Sequence, residues 1–463
     1  MVDKQNMSSV FQKYSSQSGG SGGGENKEGI SWWHLSLIGV GCTIGIGYFL
    51  GSGLGIKSTG PSIVISFLIA ALGTYIVYNL LAKMTAEDPQ DGSFCYYANK
   101  AYGRWAGFSC GWNFWSANIL IIGSQLTALG LLSKFWFPHV PLWIFAAIYA
   151  ALSILVVLLG AKGFGKVEDV LAIIKTSAIL MFIIIGALVF IGIIDGSAEG
   201  RPGVPTSYTE FFPEGLKGFW GSLIFAFYAY GGVEVIGLMA MELKHREDAP
   251  KAGKVMLTLL AIIYLISLTL VVTLVSYTKI TEKESPFVTA LANYDLTFFP
   301  HVFNAAIIIA GFSTMTAALF GVTTLLVTMA KSGDAPKLFE KKLKFRELPL
   351  ASLSLAVVGL LSSVIAALLL PGKIFEYITT AAGILLLYNW MFIIVSALKN
   401  LDNKMWDKIL AFLGILFIIA AVSGTVVEKT SRFGFYVSFA FVGVIGICTL
   451  ILSRKWKKEE QST

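Results

Sequence analysis

The sequence predicts an all-α membrane protein with about twelve transmembrane helices. Of the 463 residues, 55% are hydrophobic and only 14% are charged, whereas soluble proteins carry roughly a quarter charged residues. Long apolar runs recur along the chain, and each is close to the length of about 20 residues that spans a bilayer. The breaks between the runs hold turn formers and charges, as in residues 89–92 and 332–336.

The positions of these runs define the individual helices, with boundaries good to a few residues. The predicted helices cover residues 32–57, 61–86, 103–132, 141–160, 166–195, 215–242, 255–278, 302–331, 349–370, 373–398, 407–427 and 433–453. Before them, residues 1–30 include a Gly/Ser-rich polar stretch with no apolar signal-peptide core. We therefore expect this segment to be a flexible cytoplasmic tail.

The positive charges are distributed unevenly between the two sides of the predicted helix bundle. With the N-terminus inside, 25 of the 35 Lys and Arg residues fall on the cytoplasmic side and nine on the other, while Lys175 lies inside the fifth helix. The positive-inside rule then predicts a protein of the cytoplasmic membrane with both termini in the cytoplasm. Membrane topology accounts for the formal net charge of +7, so we expect no nucleic-acid partner.

Signatures of catalysis and of cofactor binding are missing from the sequence. The four cysteines form no CxxC pair and no metal-ligand spacing, so they are interpreted as small buried residues. Residues 107–111 match the GxSxG pattern of hydrolases, but that motif needs a strand-to-helix turn, and here it opens a predicted membrane helix. The sequence contains no P-loop and no HExxH. We expect no cofactor, no metal and no enzymatic activity.

The first predicted helix contains an unusual number of glycines. Gly41, Gly45 and Gly47 lie within GCTIGIGYFLGSG, although glycine inside a helix costs roughly 1 kcal/mol relative to alanine. An unwound segment here would free N–H groups at the positive end of the following half-helix, which suits a carboxylate. The alternative is close helix–helix contact, because Gly41–Gly45 and Gly47–Gly51 match the GxxxG spacing.

The sixth predicted helix contains a glycine pair at its centre, within FAFYAYGGVEVIG. Unwinding around Tyr228–Gly232 would free carbonyl groups that accept hydrogen bonds from an ammonium group. Facing carboxylate and ammonium sites would bind an α-amino acid. The first and sixth helices open successive groups of five, and matching broken helices in two halves indicate an inverted-repeat transporter with a site near the midplane.

This pattern predicts the division of the chain into segments. Residues 31–400 would form the transport core, with inverted halves at about 31–195 and 215–400. Residues 401–453 would add two further helices, and residues 454–463 would form a cytoplasmic tail.

Two ionisable residues lie deep inside apolar runs, Lys175 in AIIKTSAIL and Glu234 in YGGVEVIG. Charge at the bilayer centre costs several kcal/mol, so such residues are functional candidates. Burial disfavours the charged form of both, so either could load and release a proton. The alternatives are a fixed salt bridge or a lysine that reaches to the interface, although Lys175 lies about 13 Å along the helix from Lys166.

Long stretches of the chain match a known family pattern. They are GCTIGIGYFLGSG, GPSIVISFLIAALGTYIVY, DGSFCYYANKAYGRWAGFSCGWNFW, FAFYAYGGVEVIGLMAMELK and MAKSGDAPKLF. Together they resemble the bacterial amino acid transporter family of the amino acid–polyamine–organocation superfamily, closely over residues 32–345 and loosely beyond. The resemblance implies the leucine-transporter-type fold, a five-plus-five inverted repeat with broken helices 1 and 6. It also implies amino acid transport by alternating access, driven by proton symport.

The resemblance also implies which residues contact the substrate and the coupling ion. The positions that match carboxylate contacts are Thr43, Gly45, Ile46 and Gly47. The positions that match amine contacts are Tyr228, Ala229 and Gly231. Lys175 matches a lysine that occupies the sodium position of sodium-coupled relatives. The groups that its ammonium would contact are carbonyls near Gly41 and Ile44 and the hydroxyls of Ser313 and Thr314. Glu234 matches an acid of the sixth helix.

Three positions depart from the family pattern. Ile46 stands where many members have Thr or Ser, Lys83 where the second helix usually ends in Gly-Glu-Met, and Thr324 where arginine is common. The first departure would shift selectivity, and the other two would change intracellular gating contacts.

The sequence therefore predicts an importer whose partners are an amino acid, a proton and the lipid bilayer. An amino acid exchanger of the same fold is the alternative. A non-transporting amino acid sensor is a third reading, but a sensor usually carries a soluble output domain. Because Glu234 is the sole obvious acid for a cationic side chain, neutral amino acids are favoured.

Overall fold

The computed structural model of the protein describes residues 31–90, 93–194, 203–234, 243–281, 284–292, 294, 296, 298–341, 349–369 and 374–460. The predicted N-terminal tail, residues 1–30, and residues 235–242 of the sixth predicted helix lie outside this part of the chain. In chain order the described helices are α1 (Trp32–Thr43), α2 (Ile46–Phe49), α3 (Gly51–Thr59), α4 (Ile63–Glu87), α5 (Ser93–Tyr102), α6 (Arg104–Ser133), α7 (Leu142–Leu158), α8 (Gly160–Phe190), α9 (Tyr208–Phe211), α10 (Gly215–Ala229), α11 (Ala249–Leu274), α12 (Pro286–Leu291), α13 (Phe299–Lys331), α14 (Leu350–Leu369), α15 (Ile374–Asn400), α16 (Met405–Val427) and α17 (Arg432–Glu460).

The described helices agree with the segments predicted from the apolar runs. Each of the twelve segments is mainly helical over its described residues, and the first and sixth are interrupted at residues 44–45 and 230–232. Within the described ranges, eight stretches are long and apolar enough to cross a membrane, and Leu142–Leu158 and Leu350–Ile365 are shorter apolar helices. The prediction of an all-α membrane protein is confirmed.

Three short helices, α5, α9 and α12, were not predicted, because none of them is a long apolar run. In α5, Phe94, Tyr97, Ala98 and Ala101 are buried, and their spacing places them on one face of a helix. In α12, every residue from Pro286 to Leu291 is buried. Short amphipathic or buried helices of this kind escape a search for membrane-spanning length.

The C-terminal helix extends beyond its predicted end. α17 continues through Glu460, whereas the apolar run stops near residue 453. The reason is the contact made by Trp456, which is buried with its ring 5.5 Å from that of Phe108. The guanidinium of Arg104 lies 4.8 Å from the centre of the same indole ring. This contact favours the helical form of the additional turns.

The helices differ greatly in how much of their surface lies inside the protein. The most apolar window of α6 is 78% buried, whereas that of α17 is 11% buried. α6 packs against α13 and α15; α6 and α13 also contact α2, and α15 contacts α10. Polar side chains that would be costly in lipid are therefore placed at the centre of the bundle.

The segment around α12 closes over one side of α2. Ser285 Oγ donates a hydrogen bond to the carbonyl oxygen of Phe49 at 2.7 Å. The ring of Phe287 lies 5.1 Å from that of Tyr48 and 5.8 Å from that of Phe49. A buried aromatic cluster thus covers α2 on this side.

Candidate functional site

The first predicted helix is broken in its middle, between α1 and α2. Ile44 and Gly45 are extended, and α2 begins at Ile46. The N–H of Tyr48 donates to the carbonyl oxygen of Gly45 at 3.0 Å. The N–H groups from Gly45 to Gly47 precede this bond, so they are donors that the new helix does not itself use.

Glycine is needed at this break because two neighbouring helices approach the backbone closely. A Cβ atom on Gly45 would lie 2.8 Å from Thr314 Cγ2 of α13, and one on Gly47 would lie 3.0 Å from Tyr228 Cε1 of α10. The break therefore passes between α10 and α13. Unwinding and close helix contact, which were alternatives at the level of sequence, occur together here.

The other predicted residues of the first helix lie around the break in different ways. Gly41 and Ile44 are buried at the end of α1. The Thr43 hydroxyl donates to the carbonyl four residues earlier at 2.9 Å, so it bonds within its own helix. Ile46 packs against α13, where a Cβ atom on Gly311 would lie 2.5 Å from its Cγ1. The buried Ile46 side chain therefore presents apolar surface beside the break.

The sixth predicted helix is broken where α10 ends at Ala229. The next three residues form a turn, and Gly232 has a φ of +103°, a conformation that favours glycine. The N–H of Gly231 donates to the Tyr228 carbonyl at 3.0 Å. The Ala229 carbonyl accepts from the hydroxyl of Tyr264 on α11 at 3.1 Å. Each carbonyl oxygen has a second lone pair and can accept another hydrogen bond.

Tyr228 connects the two breaks. Its ring faces Gly47, and a Cβ atom there would lie 3.4 Å from the Tyr228 carbonyl oxygen. Its hydroxyl shares a hydrogen bond with Ser124 Oγ of α6 at 2.8 Å. The first break, the second break and α6 therefore meet at one side chain.

A polar pair in α6 borders the site and was missed in the sequence analysis. Next to Ser124, the Gln125 amide donates from Nε2 to Thr314 Oγ1 at 3.1 Å. Its Oε1 is buried and has no hydrogen-bond partner. The signal in the sequence is the Ser-Gln pair itself, which interrupts the apolar run of the third predicted helix.

Lys175 lies on α8 and its side chain is fully buried. Its Nζ donates to Ser313 Oγ of α13 at 2.9 Å. The adjacent residue, Thr314, is the one that contacts the first break at Gly45. Lys175 therefore binds the residue of α13 that directly precedes the one in contact with the first break.

Glu234 is also buried, but it contacts the turn after α10 and helix α15 instead of α13. Both carboxylate oxygens lie 3.3 Å from the N–H of Gly232, and Oε2 accepts from Trp390 Nε1 of α15 at 3.3 Å. The carboxylate therefore caps the turn of the second break. Trp390 and Tyr264 were not predicted as site residues, because their roles depend on contacts between distant helices.

The two departures near the helix ends have simple structural accounts. Lys83 Nζ lies 2.7 Å from Asp407 Oδ1, so it connects α4 to the first turn of α16. The hydroxyl of Thr324 donates to the carbonyl of Phe320 in its own helix at 3.0 Å. At the end of α13, Asp334 pairs with Arg104 at 3.1 Å, and burial raises the pKa of this carboxyl despite that bond.

Comparison with known proteins identifies the family. The amino acid permease profile matches residues 34–461. The uncharacterized transporter YcgH of Bacillus subtilis is 52% identical over 429 residues, which are 93% of this chain and 96% of the relative. The aromatic amino acid transport protein AroP of Escherichia coli K12 is 30% identical over 379 residues, 81% of this chain and 82% of that protein. The chain belongs to the amino acid permease family.

Solved structures show the fold of this permease. The Eremococcus coleocola manganese transporter is 14% identical with a TM-score of 0.57, covering 92% of this chain and 94% of that one. MhsT, solved in complex with L-phenylalanine, is 17% identical with a TM-score of 0.54, covering 87% of this chain and 100% of that one. These similarities confirm the predicted leucine-transporter-type fold.

Family and structure together place the permease among multi-pass membrane transporters rather than enzymes. In the part of the chain that the structure describes, no three His, Cys, Asp or Glu side chains lie close enough to hold a metal ion.

Proposed function

We propose that this permease imports neutral amino acids across the cytoplasmic membrane by proton symport, with both termini in the cytoplasm. The orientation rests on the distribution of Lys and Arg. The observation that carries the proposal is the meeting of the two helix breaks at Gly47 and Tyr228. Backbone donors of one break lie beside backbone acceptors of the other, which matches the carboxylate and ammonium of an α-amino acid.

In this arrangement, the substrate carboxylate accepts hydrogen bonds from the backbone of the first break. The residues that surround it are Thr43, Gly45, Ile46 and Gly47. The donors lie at the start of a helical segment, whose partial positive charge favours an anion. Unlike side chains, these N–H groups need little reordering to bind, because the helix already orients them.

The substrate ammonium donates to the carbonyl groups of the second break. The residues that supply them are Tyr228, Ala229 and Gly231. The Ala229 carbonyl accepts from Tyr264 and keeps one lone pair for the substrate. Neutral side chains are favoured because Ile46 and the ring of Tyr228 contribute apolar surface. Aromatic amino acids are the first to test, given the name of the relative AroP.

Lys175 couples the proton to the movement of the helices in this proposal. Protonated, it holds α13 through Ser313 and reaches the carbonyls near Gly41 and Ile44 at the end of α1. Neutral, it releases one of these contacts, and α1 and α13 can part beside Thr314. The support is the position of the buried ammonium, since an unpaired charge in the membrane costs several kcal/mol. Glu234 is the rival proton carrier.

Uptake into proteoliposomes tests the proposal. A panel of radiolabelled amino acids is offered under an inward proton gradient, under an inward sodium gradient, and without either. We expect the proton gradient to drive accumulation of neutral amino acids and the sodium gradient to have no effect. Strict sodium dependence would exclude proton symport. Uptake that requires a preloaded amino acid and no proton gradient would identify an exchanger instead.

A further inference from the structure

One buried amide of α6 has an acceptor that no group in the described part of the chain uses. Gln125 is 6% exposed, and among the described residues its Oε1 has no hydrogen-bond partner. Its Nε2 donates to Thr314 Oγ1 of α13 at 3.1 Å. The single hydroxyl hydrogen of Thr314 is used within its own helix, where the carbonyls of Ala310 and Gly311 lie at 3.2 and 3.1 Å. The Thr314 oxygen therefore accepts from an N–H group, which leaves Oε1 as the available acceptor.

This amide lies beside the proposed binding site for the amino acid. Thr314 Oγ1 would be 3.1 Å from a Cβ atom on Gly45, so Gln125 and the first break contact the same side chain. The residue before Gln125 is Ser124, which shares a hydrogen bond with the Tyr228 hydroxyl at 2.8 Å. Two successive residues of α6 therefore contact the surroundings of both breaks.

Apolar side chains lie next to the amide. Leu129 is one helical turn from Gln125 on the same face of α6. Leu129 and Ile46 both pack against Gly311 of α13, where a Cβ atom would lie 3.1 Å from Leu129 Cδ2 and 2.5 Å from Ile46 Cγ1. An unpaired carbonyl oxygen costs free energy in such surroundings, and a ligand that donates a hydrogen bond to it removes that cost.

We propose that Gln125 selects among neutral amino acids, and that its Oε1 accepts a hydrogen bond from an O–H or N–H group in the side chain of the bound substrate. The inference rests on the proposed function and names the substrate class, which is neutral amino acids with a donor in the side chain, such as tyrosine, tryptophan or threonine. A hydrocarbon side chain of the same shape leaves the buried acceptor unpaired. A site built around a hydrogen bond to its substrate strongly rejects an analogue that lacks the donor.

The hydroxyl of Tyr228 is a second acceptor close to Gln125. Ser124 Oγ donates its hydrogen to the Ile121 carbonyl at 2.9 Å, so it accepts from the Tyr228 hydroxyl and leaves the phenol oxygen with a lone pair. An amide carbonyl is a stronger acceptor than a phenol oxygen, which favours Gln125 as the partner of the substrate. Gln125→Met removes the amide and leaves the phenol in place, so this variant separates the two acceptors.

Matched pairs of substrates measure the effect of the donor. Radiolabelled tyrosine and phenylalanine, and threonine and valine, are offered to proteoliposomes under the ion gradient that drives uptake best, and kcat/KM is measured for each. We expect the wild type to favour the hydroxyl-bearing member of at least one pair by about tenfold or more. Gln125→Met should reduce this preference to less than about twofold. Thr314→Val keeps the shape of that side chain but removes the anchor of the amide, so it should weaken the preference even if Gln125→Met does not fold.

Asn113→Leu is the matched control. Asn113 is on the same helix and also has a buried amide oxygen without a hydrogen-bond partner in the described part of the chain. Its Nδ2 donates to the Leu385 carbonyl at 2.8 Å, and it lies twelve residues before Gln125, about 18 Å along α6. It should keep the wild-type preference even if less protein folds, because the ratio for two substrates does not depend on the amount of folded protein.

The outcomes separate the role of Gln125 from the proposed function. Equal kcat/KM for both members of each pair in the wild type would overturn the selection. A preference that persists in Gln125→Met would pass the role to the Tyr228 hydroxyl, and an equal loss in Asn113→Leu would show a general effect of disturbing α6. Absence of uptake for every amino acid would overturn the proposed function itself.

Discussion

The two helix breaks differ in backbone geometry and in the hydrogen-bonding groups that they expose. In the first break the chain is extended for two residues, and the N–H groups from Gly45 to Gly47 precede the next helical hydrogen bond. In the second break the chain makes a tight turn with Gly232 at positive φ, and that turn is capped by the carboxylate of Glu234. One break offers donors and the other offers acceptors.

This difference explains why the two breaks depend on different neighbours. The N–H donors of the first break need space for a ligand, and glycine leaves that space. A Cβ atom at Gly47 would collide with a neighbouring helix. Carbonyl groups can share their lone pairs, so the second break accepts from Tyr264 and still has capacity for a ligand. Changes at the first break should therefore act by steric exclusion, and changes at the second by competition for hydrogen bonds.

The largest effect is expected from Gly47→Val. The branched side chain would collide with the Tyr228 ring, since even a Cβ atom would lie 3.0 Å from Cε1. The change should abolish substrate binding at the central site and lower uptake at least a hundredfold, while the purified protein stays monodisperse. Uptake assays and size-exclusion chromatography measure the two properties.

Gly321→Val is the matched control for this change. It lies on α13, and a Cβ atom there meets no atom of another helix within 4 Å. It should keep wild-type uptake apart from a small cost in stability. Equal loss of uptake in both variants would mean that valine disturbs the helices in general and not the proposed carboxylate site.

The next largest effect is expected from Lys175→Met, which keeps the length of the side chain and removes its charge. In the proposed mechanism, loss of the bond to Ser313 removes the contact through which the protonated lysine holds α13 to α1. We expect proton-driven accumulation to fall at least tenfold. Substrate affinity should change only about threefold, since the proposed substrate contacts are backbone groups. Accumulation and binding are measured on the same preparation.

Glu234→Gln is measured beside it, because the amide keeps an acceptor for Gly232 and Trp390. Accumulation close to that of the wild type is expected. If Lys175→Met accumulates substrate normally and Glu234→Gln does not, the coupling role passes to Glu234.

A smaller effect is expected from Tyr264→Phe at the second break. The ring stacks on Tyr48 with centroids 3.8 Å apart, and phenylalanine preserves that contact. Loss of the hydroxyl leaves the Ala229 carbonyl without this donor, which costs about 1 kcal/mol in the free protein. The melting temperature should fall without substrate, and stabilisation by substrate should grow, because a carbonyl that no longer accepts from Tyr264 binds the ammonium more strongly.

Tyr78→Phe is the control for that competition. Its hydroxyl donates to the Ala249 carbonyl at 3.1 Å, also on α11 but away from the break. The melting temperature should fall by a similar amount, but stabilisation by substrate should match the wild type. The same substrate response in both variants would remove Ala229 from the proposed ammonium site.

The sequence was most informative where one physical requirement acts on many residues. Membrane-spanning segments need about 20 apolar residues, so the helices could be placed from hydropathy. Glycine permits a break or a close approach, so Gly45 and Gly47 were recognised. The roles of Tyr264, Trp390 and Gln125 could not be predicted, because each depends on a partner on a distant helix that a single sequence does not identify.

The smallest effect is expected far from both breaks, at the exposed pair Asp88 and Lys100. Lys100 Nζ lies 2.5 Å from Asp88 Oδ2, and this bond holds the pKa of the Asp88 carboxyl below its usual value. A lowered pKa contributes stability above the unfolded pKa of about 3.9, which is lost as the pH falls through the folded value. Solvent screens the charges of an exposed pair, so this contribution is small. Asp88→Asn should therefore lower the melting temperature slightly at pH 7, and the difference from the wild type should shrink as the pH falls below the unfolded pKa of Asp. Uptake should be unchanged, since the pair touches neither break. Altered uptake at pH 7 would show that the α4–α5 junction takes part in transport.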